Sequence, residues 1–171
     1  MKTFTLLILT LLSANITVAQ AWEQNGTFLT QTSTNNKSTA AVFITPGTFD
    51  IALSLFDFKN TINLCNHRFD SSVKGNYKEV DAGIAEINGR YVKMIGICVD
   101  DLITEKVDWT MEIQPESPQG LKYILKELVD KKELKITFEK LGVGSYTFQS
   151  TNFEKFFSPM LKESIKKKNA I

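Results

Sequence analysis

Ile84-Ala-Glu-Ile-Asn-Gly-Arg-Tyr-Val-Lys-Met-Ile-Gly-Ile-Cys-Val99 reads as two apolar-rich arms joined at Asn88-Gly89. Asn-Gly is the pair preferred in a type I′ turn, because both central residues of that turn need positive φ. The stretch therefore predicts an antiparallel hairpin, with arms at Ile84 to Ile87 and Tyr91 to Val99.

Upstream of the hairpin the strand signal continues. Phe49, Ile51, Leu53 and Leu55 alternate with Asp50, Ala52 and Ser54, a period of two that turns one face to a core and the other to water. Ala40 to Thr45 is a shorter apolar run ended by Pro46-Gly47, and Gln31 to Thr39 is polar, lacks apolar periodicity and reads as a loop. Keeping the register beyond Leu55 sends Phe56 and Phe58 outward and Asp57 inward. Either a bulge or strand end resets the faces there, or Phe56 and Phe58 form an exposed aromatic pair used for binding.

Downstream, Val107, Trp109, Met111 and Ile113 alternate with Asp108, Thr110, Glu112 and Gln114, a half-buried strand that Pro115 ends. Ser117-Pro118 then supplies an N-cap and a first-turn proline. Leu121, Ile124, Leu125 and Leu128 follow at helical spacing, so a helix runs to Lys131 or Lys132. Leu134 to Phe138 and Ser145 to Phe148 are two short strands around a turn at Gly142 and Gly144. In the last segment Thr151 and Glu154 form a capping-box pair, and Phe153, Phe156, Phe157, Met160, Leu161 and Ile165 lie on one side of a final helix. Pro159 inside that helix is expected to kink it or end its first half.

Strands come first, then helix, two strands and helix. Such segregation predicts an α+β domain, a mainly antiparallel β-sheet with two helices of the C-terminal half packed on it, since a parallel sheet requires regular alternation. Neither an internal repeat nor a dividing linker is visible.

The N-terminus carries Lys2, an apolar run from Leu6 to Leu12 and then Ala19-Gln20-Ala21. A positive start, a short apolar middle and small residues at the minus-three and minus-one positions predict a secretory signal over residues 1–21. Thr10, Ser13, Asn15 and Thr17 interrupt the hydrophobic stretch, which is short of the roughly 20 apolar residues that span a bilayer. The exported chain is then Trp22 to Ile171, a single domain by size, with no transmembrane segment expected in it. Loss of Lys2 leaves 19 basic against 19 acidic side chains, a balance that favours neither nucleic acid nor an anionic membrane as partner. The short signal with its Ala-x-Ala end fits a bacterium, with a periplasmic address ahead of full secretion.

Cys65 and Cys98 are the only cysteines, and in an exported chain they are expected to join in one disulfide. On the chain-entropy account a loop of this size contributes roughly 3 to 4 kcal/mol. His67, the only histidine, lies two residues from Cys65, so both would share a strand face. A Cys-His nucleophilic pair fails if Cys65 is oxidised, and a lone histidine leaves few triads or zinc sites to build. Asp100, Asp101, Glu105, Asp108, Glu112 and Glu116 make an acidic stretch, but calcium-loop spacing is absent, Asp108 and Glu112 mark the wet face of a strand, and no metal or other cofactor is expected. Gly142-Val-Gly144 lacks any phosphate-loop pattern. Lys166 to Lys168 suit the negative end of the last helix.

These readings converge on an exported, non-catalytic binding or interaction domain that recognises a protein or envelope component, with Phe56 and Phe58 as the candidate binding residues. Two alternatives stand beside it: a carboxylate-dependent or thiol hydrolase of the envelope, and a structural subunit of an envelope assembly.

Overall fold

The computed structural model describes residues 20–45, 51–57, 77–100, 109–139 and 145–169. The described strands are β1 (Glu23–Asn25), β2 (Phe28–Thr32), β3 (Ser38–Ile44), β4 (Ile51–Asp57), β5 (Tyr77–Ile87), β6 (Arg90–Asp100), β7 (Trp109–Pro115), β8 (Glu133–Phe138) and β9 (Ser145–Gln149). They form one sheet in the order β1-β2-β3-β4-β7-β6-β5-β8-β9, with every pairing antiparallel. Helix α1 (Pro118–Asp130) packs against β7 and β8, and α2 (Phe153–Lys168) against β2 and β3. The expected α+β class and its antiparallel sheet are what the chain adopts.

The hairpin is built as its turn residues dictate. Asn88 has φ 47° and Gly89 φ 84°, the two positive values that a type I′ turn requires. Asn88 also ties the turn to the next strand, donating from Nδ2 to Glu133 O at 3.1 Å and accepting at Oδ1 from Lys135 N at 2.8 Å. Further along β5, the register shifts between Asp81 and Gly83, where Gly83 takes φ 77° and its N–H donates to Asp81 Oδ1 at 2.8 Å. Such a bulge bends the strand and increases its twist.

Curvature brings the two ends of the sheet together. The Ser33 to Lys37 turn reaches β9, with Thr34 N donating to Thr147 O at 2.9 Å and Asn35 Nδ2 to Ser145 O at 3.0 Å. Trp22 N donates to Thr151 O at 3.0 Å just beyond the end of β9. The stretch read as a polar loop from Gln31 to Thr39 is thus shorter than expected, its ends being the last residues of β2 and the first of β3. Its polarity serves the turn itself: Ser33, fully buried, accepts at Oγ from Ser38 N at 3.0 Å and donates to Asn35 Oδ1 at 2.7 Å.

Two helices fill part of the concave side. Ser117 caps α1 by accepting at Oγ from Gly120 N at 3.1 Å, the cap its sequence predicts. Ile124 and Leu128 face the sheet and are buried, and Tyr123 Oη donates to Ile87 O at 2.8 Å. The capping box expected for α2 does not form. Asn152 takes the N-cap position with φ 66° and makes no side-chain cap bond, because in the left-handed region its backbone, and not Thr151, turns the chain into the helix.

α2 runs through Pro159 to Lys168 without ending at its first half. Proline removes one backbone donor there, and packing of Phe153 and Phe157 before it and of buried Ser164 after it holds the helix across the gap. Phe153 sits edge-on to Trp22 at 5.0 Å and stacks on Phe157 at 5.0 Å. Phe156 is only partly buried, and Ile165, assigned above to the apolar side, is 37% exposed.

Of the two expectations at Phe56, a bulge or a strand end, no bulge forms, and β4 runs to Asp57. β3 and β4 pair without interruption from Ile44↔Ile51 to Ser38↔Asp57, so Phe56 shares the outer face with Ser54. Replacing Phe153 with Ala is expected to cost about 3 to 5 kcal/mol in denaturant unfolding, with a clearly smaller loss for Phe156→Ala. A loss below about 1 kcal/mol for Phe153→Ala would place that ring outside the core.

Candidate functional site

Helix α1 carries two neighbouring stripes at a spacing of four residues. Leu121, Leu125 and Val129 form one, and Lys122, Lys126 and Asp130 the other. The apolar stripe is only half-buried, although it points inward beside the buried Ile124 and Leu128. What it faces is a cavity of about 870 Å³ between the two helices and the sheet. Phe157 and Leu161, four apart on α2, form the facing wall.

A fork in the sheet opens this cavity. Among the described residues β4 and β7 pair at Leu55↔Ile113 and Phe56↔Glu112, while β4 continues along β3 as far as Ile51 and β7 continues along β6 as far as Pro115. Pro115 has no N–H to extend the ladder and leads the chain into Ser117 and α1. Ile51 and Leu53 on one branch, with Gln114 and Pro115 on the other, line the cavity at the fork. Gln114 Nε2 spans the gap, donating to Ser54 Oγ at 2.8 Å and to Glu112 Oε2 at 3.2 Å, while Ser54 Oγ donates to Glu112 Oε2 at 3.0 Å. Ser54 is buried, so this bridge satisfies polar groups on the outer side of the fork.

The charges at the rim are mostly matched. Lys126 is paired with Asp130, whose hydrogen bond and charge hold the ammonium above the usual lysine range. Glu116 is paired at 2.9 Å with Lys93, whose ammonium is likewise raised. Lys122 is exposed and has no ion-pair partner among the described residues. The site thus combines an aliphatic interior with one unmatched positive charge at its mouth. Its volume lies within the roughly 300 to 1,000 Å³ typical of small-molecule pockets.

Of the residues singled out by sequence, few meet here. Phe56 is half-buried on the outer face, where its carbonyl accepts from Ser38 Oγ at 2.7 Å, and Phe58 lies outside the described residues. Cys65 and His67 also lie outside them, and Cys98 is fully buried in the core cluster. Asp101, Glu105 and Asp108 of the acidic stretch are outside too. Among the described residues no three His, Cys, Asp or Glu side chains group to hold a metal ion. Also among the described residues, no helix is long and apolar enough to cross a membrane.

The sequence places Leu121, Ile124, Leu125 and Leu128 at helical spacing on one helix. Helical spacing does not separate the pair that reaches the sheet from the pair that lines a cavity. The signal that could have been used is the width of the apolar arc, which with Val129 exceeds what one packed stripe needs. Against known protein families, curated proteins and solved structures, the chain shows no match.

Proposed function

We propose that this chain is an exported, non-catalytic binding domain whose cleft holds the apolar tail of an anionic amphiphile of the cell envelope. The cavity of about 870 Å³, bounded by aliphatic stripes of both helices, is the observation that carries the reading. A polar substrate would leave those stripes unused, whereas an acyl chain removes them from water. Each buried methylene contributes about 0.8 kcal/mol, so a tail of roughly 14 gains about 11. Association costs of at least about 4 kcal/mol leave an affinity of order 10 μM. Lys122 supports an anionic head, since it is the rim cation without a partner among the described residues.

Export rests on Lys2, the Leu6 to Leu12 run and the small residues before Trp22, and envelope lipid is the amphiphile such a protein would meet. A disulfide between Cys65 and Cys98 belongs to the same reading. It is supported by an oxidising destination and by the complete burial of Cys98 on β6.

The purified protein is expected to bind a fluorescent long-chain fatty acid with micromolar affinity. Leu125→Trp, which fills the cavity, should reduce that at least tenfold while thermal unfolding stays near that of the parent. Unchanged binding by this variant, or no binding by the parent, would reject the cleft as the site. Lys122→Glu is expected to weaken the fatty acid about two- to fivefold and leave the corresponding fatty alcohol unaffected, in keeping with an exposed ion pair. Equal effects on both ligands would remove Lys122 from head-group recognition. Non-reducing peptide mapping should recover Cys65 and Cys98 in one linked pair, and alkylation of either in the native, unreduced protein would refute the bridge.

A further inference from the structure

We infer that processing leaves Gln20, and not Trp22, as the first residue of the exported protein. The inference rests on the export reading above and concerns where the leader is cut. Two peptide bonds offer small residues at the minus-three and minus-one positions: Ala19 and Ala21 precede Trp22, and Thr17 and Ala19 precede Gln20. Hydrolysis at either adds one water across the bond, leaving a carboxylate on the leader and an ammonium on the product. The two products differ in what the fold then has to bury.

Gln20 and Ala21 are part of the folded domain. Gln31, 3% exposed, donates from Nε2 to Gln20 O at 2.8 Å, and Gln20 Nε2 donates to Asn36 Oδ1 at 2.9 Å. Asn36 belongs to the turn that reaches β9, so these two residues sit beside the closure of the sheet. A cut before Trp22 removes the acceptor of the Gln31 amide, whose Oε1 already lacks a hydrogen-bond partner in the protein. A buried donor left without an acceptor is destabilising beyond the loss of the bond itself.

That cut has a second cost. Trp22 is 1% exposed, and its neutral N–H is matched to one carbonyl, Thr151 O. Converting it to an ammonium puts a charge and two further donors where the neutral N–H has one recorded acceptor, Thr151 O. A cut before Gln20 keeps all three hydrogen bonds. It also sets the new ammonium on a half-buried residue whose side-chain Oε1 has no donor, so the charge remains near water and adds donors where one is missing.

Intact-mass measurement of the protein recovered after export tests this. The expected mass starts at Gln20, or is lower by one ammonia if that glutamine has cyclised. A start at Trp22 or any other internal residue would overturn the inference and leave export standing, whereas a start at Met1 would overturn both. Two purified chains, one from Gln20 and one from Trp22, separate the physical argument from peptidase preference. The shorter chain is expected to melt about 5 °C or more below the longer one. Equal melting temperatures would show that Gln20 and Ala21 contribute nothing to the fold, and the inference would fail.

Discussion

The two helices among the described residues are too few to cover one face of this sheet. Nine strands at about 4.8 Å spacing span roughly 38 Å, whereas two helices about 10 Å wide cover little more than half of that. On a flat sheet these two helices would leave the remainder of the apolar face uncovered. Curvature is the available remedy, and the molecule shows where it comes from: a bulge at Asp81 to Gly83, strand twist, and hydrogen bonds that carry the β2–β3 turn onto β9. Once the ends meet, the concave side is small enough for Trp22, Phe153 and Phe157 to pack as one cluster with the inner residues of the sheet.

The same arithmetic accounts for the cavity. α2 packs on β2 and β3 at one side of the sheet, α1 on β7 and β8 at the other, and the strand between β3 and β7 is β4, which among the described residues pairs with β7 at two positions. The sheet forks between β4 and β7, at the boundary between the strands that carry α2 and those that carry α1. Pro115 makes the fork abrupt, and the Gln114 bridge to Ser54 and Glu112 keeps it from widening. Polar closure on the outside and aliphatic lining on the inside are two sides of one break in the ladder.

How much of this was legible in the sequence follows from the range of each interaction. Turn chemistry is local, so Asn88-Gly89 and Ser117-Pro118 could be read directly and took the conformations expected. Alternation is local too, and it located β4 and β7 to within a few residues. The capping box of α2 failed because Thr151-x-x-Glu154 is a pattern compatible with more than one N-cap, and the backbone chose Asn152. Closure through Thr34 and Asn35 links residues more than a hundred positions from their partners on β9, a distance at which no periodicity carries information. For that reason a turn that holds the barrel-like curl looked like a free polar loop, and cavity-lining leucines looked like ordinary core.

Leaving Leu121, Leu125 and Val129 half-buried has an energetic consequence that bears on how the cleft would behave. Apolar surface left in contact with water forgoes about 25 cal/mol for every Å², so the empty fold is less stable than the same fold with the cleft filled. Natural sequences tolerate such a deficit where the site is used, and the rest of this core, with Phe148, Leu134 and Ile136 fully enclosed, holds the sheet on which α1 and α2 pack. An occupant that binds the folded chain alone returns that stability in proportion to the logarithm of its concentration over its dissociation constant. Stability and occupancy are then one linked property, coupled through the apolar surface of Leu121, Leu125 and Val129 that an occupant would cover.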